Sequence, residues 1–300
     1  MNTPAAAAPP IPPASPVPAD AAVKPAKAFY RPRFLKVFTG LVYLWLFAPI
    51  AIVILFSFNT TKSLQQFQGF SLKWYESFFQ DATLKSSLVA SLEISLVVMV
   101  VATILGTTLA LGLVRSRARW STGVNILMLI PLVTPEIVAA ASSLLLFSQL
   151  AWPLSLGTII IAQITFSISY VAVVVRARLT GLNREAEEAA MDLGATRFQA
   201  LRLVTLPALW PAIIASGLLT FVLAFDDFVI SFFTTGESPQ PLPVRIYSAI
   251  RTGISPTINA TGTIMMVVSL AIIIVALLLP RFFGRKESGL DVLTAGEVGK

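Results

Sequence analysis

Four acidic residues stand within segments of the chain that are otherwise apolar. They are Glu93, Glu136, Asp226 and Asp227, and no lysine or arginine shares those segments. A carboxylate near the centre of a bilayer costs about 2.5–3.5 kcal/mol on insertion scales, so such acids are expected to face a polar interior. Because no basic side chain neutralises them, a mobile cation is a natural partner. The four acids are therefore predicted to form an electronegative path for a positively charged solute.

The two adjacent aspartates are not expected to act together. Neighbouring residues of a helix differ in direction by about 100°, so Asp226 and Asp227 cannot face the same point. One can line the path while the other bonds a neighbouring helix. The alternative, in which the acids are protonated or hydrogen-bonded and hold helices together, stays open.

Composition excludes several other kinds of chemistry. The 300 residues contain neither cysteine nor histidine, which rules out disulfides, Cys/His zinc sites and Ser-His-Asp triads. An intramembrane enzyme built on the aspartates is disfavoured, because adjacent aspartates on one helix do not converge on one water molecule. The pattern G-x4-G-K-[ST] does not occur, so the chain has no P-loop for nucleotide phosphates. It is predicted to bind no cofactor itself.

The elements that position the acids are predicted to be membrane-spanning helices. Hydrophobic residues make up 56% of the chain and charged residues 12%, and the mean hydropathy is +0.80. Roughly 20 residues of helix cross a hydrocarbon core. Six segments are long enough: 35–58, 87–114, 122–148, 157–175, 212–233 and 261–283. The predicted fold class is an all-α integral membrane domain with six transmembrane helices. Pro131 and Pro135, beside Glu136, predict a simple kink or freed carbonyls that line a cavity.

The basic residues predict which side of the membrane each end occupies. Seventeen lysines and arginines lie at the two termini and in the second and fourth loops, against five in the other loops. The positive-inside tendency therefore places both termini in the cytoplasm. Since these charges lie between apolar segments and do not share one polar face, no nucleic-acid partner is expected.

The sequence also suggests three regions. Residues 1–28, rich in proline and alanine, are predicted to be a disordered cytoplasmic tail. Residues 29–283 form the transmembrane domain, and 284–300 form a cytoplasmic tail. Two outer loops, 59–86 and 234–260, carry aromatic residues that suit the membrane interface or, alternatively, a docking partner.

The fourth loop, residues 182–211, is predicted to fold into two short helices. Asn183 can cap the first helix, whose first turn is rich in glutamate. Gly194 suits the left-handed residue that ends that helix. Thr196 opens a second helix with a capping-box pattern, and Pro207 is expected to interrupt it.

This loop resembles the EAA loop of type I ABC importer permeases, whose pattern is EAA-x3-G-x9-I-x-LP. The matching residues are Glu188, Ala189, Ala190, Gly194, Val204, Leu206 and Pro207. The only departure is valine for isoleucine at position 204. In that family the loop forms the coupling helices that dock on the ATP-binding subunit, and the resemblance implies the same role here. We call residues 182–211 the EAA loop.

Three further stretches resemble the polyamine (spermidine/putrescine) branch of these permeases, specifically its second permease subunit. They are GFSLKWYESF, FVLAFDDFVISFFTTG and LPVRIYSAIRTGISPTINATGT. The resemblance implies a multi-pass protein of the bacterial inner membrane that works with a homologous permease, two ATP-binding cassette subunits and an extracytoplasmic substrate-binding protein. ATP and magnesium would be bound by the partner subunits.

Two alternative functions remain open. One is a related importer for another small solute, such as an opine, an amino-acid derivative or a metal cation. The other is an ion-coupled secondary transporter in which the acids form a relay. The EAA pattern argues against the second, because an ion-driven carrier needs no ATPase dock.

Overall fold

The computed structural model describes residues 33–63, 66–115, 121–237, 239–253 and 255–283. In these ranges the regular elements are helices, and a single β-bridge joins Asn59 and Phe70. The α-helices are α1 (Arg33–Ser57), α2 (Lys73–Gln80), α3 (Ala82–Arg115), α4 (Ser121–Val133), α5 (Glu136–Gln149), α6 (Leu156–Thr180), α7 (Glu185–Asp192), α8 (Arg197–Ala200), α9 (Leu206–Asp226), α10 (Val229–Thr234), α11 (Leu242–Thr252) and α12 (Pro256–Phe283), and a π-turn spans Leu201–Thr205. The predicted all-α fold class is confirmed. The predicted tails at 1–28 and 284–300 lie outside the described residues.

The chain divides into two compact units, and the site lies in the second. The first unit ends at Ile50, within α1, and the second begins at Ala51. Five helical stretches in the described ranges are long and apolar enough to cross a membrane, and the number becomes six if the bent pair α4–α5 counts as one span.

The third predicted span is not one helix, and the expectation of a simple kink is corrected. The chain bends by 106° between α4 and α5. Pro135 lacks a backbone N–H and disfavours helical geometry at the residue before it, so the helix ends at Val133 and restarts at Glu136. Pro131, by contrast, is accommodated inside α4. The last carbonyls of α4 and the first N–H groups of α5, next to Glu136, therefore have no partners within a continuous helix.

The fifth predicted span is also corrected. Helix α9 begins earlier than predicted, at Leu206, and ends at Asp226 instead of continuing to 233. Asp227 has an extended backbone, with φ −65° and ψ 117°. Its side-chain Oδ1 accepts from the backbone N–H of Ile230, and Oδ2 accepts from that of Ser231. The carboxylate thus satisfies the free N–H groups of a new helix, α10, which explains why the chain breaks there.

Both regions that were predicted to be outer loops contain an amphipathic helix, α2 in the first and α11 in the second. Ahead of α2 the chain folds around the buried Asn59. Its Nδ2 donates to the carbonyls of Ser63 and Gln66, and its Oδ1 accepts from the N–H of Gln68. Trp74 Nε1 donates to the Asn59 carbonyl at 2.6 Å. One buried amide therefore replaces the regular hydrogen bonding that this stretch lacks.

Small residues line the contact of α3 with α6 and α9. A Cβ built on Gly106 of α3 would lie 2.6 Å from Val171 Cβ of α6, and one on Gly217 of α9 would lie 2.9 Å from Thr103 Oγ1. Buried hydroxyls here bond within their own helix, as Ser95 Oγ does to the Ser91 carbonyl at 2.7 Å and Ser216 Oγ does to the Ile213 carbonyl at 2.9 Å. Close approach of backbones is what drives helix packing in lipid.

The chain after α10 is packed against the start of α6. Thr158 Oγ1 donates to the Thr234 carbonyl at 2.8 Å. Two residues later, a Cβ built on Gly236 would lie 2.2 Å from the Leu154 carbonyl oxygen. This close backbone contact fixes the end of α10 relative to α6.

Candidate functional site

A cavity of about 220 Å³ opens where the two helix breaks meet α6. Its walls come from the α4–α5 break, from α6 and from the α9–α10 break. The lining residues are Leu132, Thr134, Glu136, Gln163, Phe166, Ser167, Tyr170, Leu223, Ala224, Asp227 and Ile230. Two of them are acids and none is basic, so the cavity favours a cation.

Asp227 is held rigidly in this cavity. Its Oδ2 accepts from Gln163 Nε2 at 2.8 Å, from the Ser231 N–H at 2.9 Å and from Ser231 Oγ at 3.0 Å. Its Oδ1 accepts from the Ile230 N–H at 3.3 Å. A carboxylate that accepts this many hydrogen bonds is fixed in direction.

Glu136 brings a second carboxyl group to the same cavity. It is the first residue of α5, immediately after the break, and it lines the same cavity as Asp227. Helices α5 and α10 are held together by an apolar cluster that includes Ala140, Phe147 and Ile230. The packing of these two short helices therefore determines the separation of the two carboxyl groups.

The other two predicted acids lie outside this cavity. Asp226 accepts hydrogen bonds from Ser269 Oγ of α12 at 2.9 and 3.0 Å. Glu93 is on an exposed face of α3, beside the exposed Leu92 and Leu96. The structure thus brings together Glu136 and Asp227 and separates Asp226 and Glu93 from them. Asp227 lies at the cavity while Asp226 bonds the neighbouring helix α12, and the extended backbone of Asp227, not the 100° spacing of a helix, separates their side chains.

Gln163 is a site residue that the sequence analysis missed. It is only 2% exposed, and besides Asp227 its Nε2 contacts Ser231 Oγ at 3.1 Å. In the described part of the chain its Oε1 has no hydrogen-bond partner. The sequence offers one signal for this residue, because Gln163 is the single side-chain amide in the predicted span 157–175. An amide in lipid costs free energy unless it is hydrogen-bonded.

The first half of the EAA loop folds largely as predicted. Gly194 has φ +92° and is followed by a bond from the Ala195 N–H to the Ala190 carbonyl at 3.0 Å. With the bond from the Gly194 N–H to the Met191 carbonyl at 2.9 Å, this is a Schellman motif. The cap of α7 differs by one residue, because Arg184 holds the cap position while Asn183 Oδ1 accepts from the Glu185 N–H.

The second half of the loop departs from the prediction. The capping box between Thr196 and Gln199 is confirmed, but Pro207 does not interrupt the helix. The chain continues from α8 through the π-turn into α9, and the Leu206 N–H bonds the Leu201 carbonyl. Proline is tolerated because it stands at the start of α9, where the wider turn before it removes the need for its N–H.

The surface of the EAA loop is open and partly apolar. Glu188 and Ala189 are exposed. Leu193 is 90% exposed and Phe198 is 69% exposed. Apolar side chains as exposed as these are available for contact with another protein.

Comparison with known proteins gives consistent matches over most of the chain. Residues 102–288 match the family described as "Binding-protein-dependent transport system inner membrane component". The chain is 38% identical to the spermidine/putrescine transport system permease protein PotC of Haemophilus influenzae, over 81% of this chain and 95% of that protein. It is 41% identical to the putrescine transport system permease protein PotI of Escherichia coli K12, over 75% and 82%.

Solved structures show the same architecture. A bacterial ABC transporter involved in the import of the acidic polysaccharide alginate aligns with a TM-score of 0.67 at 16% identity, covering 83% of this chain and 94% of that one. An amino acid ABC transporter crystallised with histidines aligns with a TM-score of 0.57 at 17% identity, covering 69% and 97%. The transmembrane fold of these importers is therefore the fold of this chain.

Proposed function

Because the chain belongs to the family of binding-protein-dependent transport system inner membrane components, we propose that it is a permease subunit of an ATP-driven importer of polyamines. The observation that carries this proposal is the cavity, in which Glu136 and Asp227 stand together with no basic residue among the lining side chains. A polyamine is a chain of protonated amines, and each ammonium group donates the hydrogen bonds that carboxylates accept. The names of the relatives point to the same class of substrate.

The chain works with partners that supply energy and substrate. These are a homologous permease, two ATPase subunits that bind ATP and magnesium, and an extracytoplasmic binding protein. The chain itself is not an enzyme, and hydrolysis belongs to the ATPases. Closure of the ATPase pair moves the EAA loop, and the spans then expose the path first to one side of the membrane and then to the other.

The test is uptake by the purified complex in vesicles. The tagged chain is co-purified with its companions, reconstituted with ATP and the binding protein, and supplied in parallel with labelled putrescine, spermidine, an opine, an amino-acid derivative and a divalent metal. We expect ATP-dependent uptake of the polyamines. Uptake of another solute alone would transfer the assignment to a related importer, and uptake driven by an ion gradient without ATP would support the secondary transporter.

The EAA loop gives a prediction at Gly194. A Cβ there meets no atom within 4 Å, so the difficulty is the positive φ and not space. Valine in the left-handed region costs about 1–2 kcal/mol, and asparagine costs less. We expect Gly194→Val to lower ATP-dependent uptake while Gly194→Asn retains most of it. The measurement is uptake after quantifying membrane insertion and bound ATPase. Equal uptake by both variants, with the ATPase bound, would contradict the role given to this turn.

The proposed orientation is tested with introduced cysteines. The chain has no native cysteine, so each substitution provides a single thiol. We expect a membrane-impermeant maleimide added outside to label Ser63→Cys and Ser238→Cys but not Ser288→Cys, since both termini are placed inside. Permeabilised membranes provide the control for reactivity at all three positions. The opposite labelling pattern would invert the topology.

A further inference from the structure

Arg115, the last residue of α3, contacts two segments of the EAA loop. Its Nη2 donates to Glu187 Oε1 at 2.6 Å and to Thr205 Oγ1 at 3.5 Å. Thr205 Oγ1 in turn donates to Glu187 Oε2 at 2.8 Å. Three side chains, from α3, from α7 and from the π-turn, therefore close one ring of hydrogen bonds. We call Arg115, Glu187 and Thr205 the clamp.

The three members of the clamp differ in their exposure to water. Arg115 and Glu187 are 34% and 26% exposed, and Thr205 is 5% exposed. Immediately beside it, Leu209 of α9 packs into an apolar cluster with Ala110 of α3. The hydroxyl of the buried Thr205 fixes the Glu187 carboxylate in direction.

Helix α7 thus has two faces with different tasks. Glu187 turns inward to Arg115, while Glu188, the acid of the EAA pattern, remains exposed. Adjacent residues point about 100° apart on a helix, which is what allows this division. The outward face is free to meet the ATPase, as proposed above, and the inward face is attached to the membrane helices.

The clamp is joined to the carboxylate cavity by a single helix. Thr205 ends the π-turn, and α9 runs from the next residue to Asp226, beside Asp227 at the cavity. At 1.5 Å per residue, these 21 residues span about 31 Å. Turns of π geometry within a helix occur frequently at functional positions. A displacement of α7 therefore acts directly at the base of the helix that ends at the cavity.

We propose that the clamp is the joint through which movement of α7 reaches α3 and α9, so that its three members are positioning residues for coupling. The inference rests on the proposed function, because it presumes that an ATPase moves the EAA loop. Without the clamp, α7 could shift against the ends of α3 and α9, and ATP would be hydrolysed without a matching change at the cavity.

The experiment measures the ratio of ATP hydrolysed to polyamine transported by the reconstituted complex with its binding protein. We expect Glu187→Gln and Thr205→Val to raise this ratio about tenfold, the effect of losing one charge-assisted hydrogen bond. The matched control is Thr180→Val, at the end of α6 and outside the EAA loop, whose exposed hydroxyl donates to the Ala177 carbonyl of its own helix. This control should leave the ratio of ATP hydrolysed to polyamine transported at the wild-type value. The double variant Arg115→Glu with Glu187→Arg, which exchanges the two charges, should bring the ratio most of the way back to the wild-type value.

The possible results distinguish a failure of the proposed clamp from a failure of the proposed importer function. A wild-type ratio in both Glu187→Gln and Thr205→Val would overturn the proposed role of the clamp. The same conclusion would follow if the exchanged pair had a ratio as high as that of Glu187→Gln alone. If Glu187→Gln fails to assemble, Thr205→Val, which keeps both charges and nearly the same shape, decides the question. If the wild type transports another solute, the proposed substrate fails and the ratio is measured with that solute.

Discussion

Glu136→Gln is expected to lower polyamine uptake about ten- to hundredfold at subsaturating substrate, because a hydrogen bond to a charged group is worth about 1.5–3 kcal/mol. The glutamine keeps the size of the side chain but removes its charge from the cavity. Asp227→Asn should have at least as large an effect. Its carboxylate accepts from Gln163 and from two backbone N–H groups, and an amide would place a donor against one of these donors. Initial uptake rates of the assembled complex provide the measurement.

The two acids outside the cavity are the controls. Asp226→Asn can still accept from Ser269, and Glu93→Gln lies on an exposed face of α3. Both variants should transport at rates close to wild type. Wild-type uptake by Glu136→Gln and Asp227→Asn would remove the carboxyl pair from the transport path and leave selectivity with the binding protein. A loss confined to Asp226→Asn or Glu93→Gln would place the path elsewhere.

Gly236→Ala is expected to destabilise the fold strongly, because the added methyl group would collide with backbone atoms. The added Cβ would lie 2.2 Å from the Leu154 carbonyl oxygen and 2.9 Å from its carbon. Backbone atoms cannot rotate away as a side chain does, so the segment after α10 must move. Overpacking of this kind costs about 1–3 kcal/mol and occasionally more. The expected result is a lower melting temperature of the detergent-purified complex, together with reduced uptake.

Gly262→Ala provides the matched control. Gly262 lies within α12, and a Cβ there meets nothing within 4 Å. Alanine is favoured over glycine inside a helix by about 0.5–1 kcal/mol, so this variant should melt at or above the wild-type temperature. Equal melting temperatures for Gly236→Ala and Gly262→Ala would show that the contact with Leu154 is not tight.

The sequence predicts the apolar spans well because each is a long run governed by a single strong effect, the cost of placing charge and free backbone in lipid. The helix breaks are harder to predict. Pro135 gives a local signal at the first, but its 106° bend depends on how α5 packs against α10. At the second break, between α9 and α10, aspartate disrupts a helix much less than proline does. The hydrogen bonds from the N–H groups of α10 to Asp227 become evident only once the backbone positions are known.

The site is predicted in part for a related reason. Glu136 and Asp227 are recognisable as costly acids in apolar runs, so composition identifies them. Helix packing determines which acids lie close together, and it places Asp226 and Glu93 away from the cavity that Glu136 and Asp227 share. Gln163 is harder to single out because it is uncharged. The turn at Gly194 and the capping box at Thr196 are predicted correctly because both depend on residues close together in sequence.

Five hydroxyl groups on α3 and α9 form no hydrogen bond between the two helices in the part of the chain that the structure describes. Ser95 and Ser216 bond carbonyls of their own helices, while Thr103, Thr107 and Thr220 have no hydrogen-bond partner for their Oγ1 in the described chain. A shift of one helix along the other therefore breaks no hydrogen bond across the contact at these positions. Gly217 has no side chain that could interlock with the side chains of α3. The contact is therefore suited to shear, a small sliding of packed helices along one another.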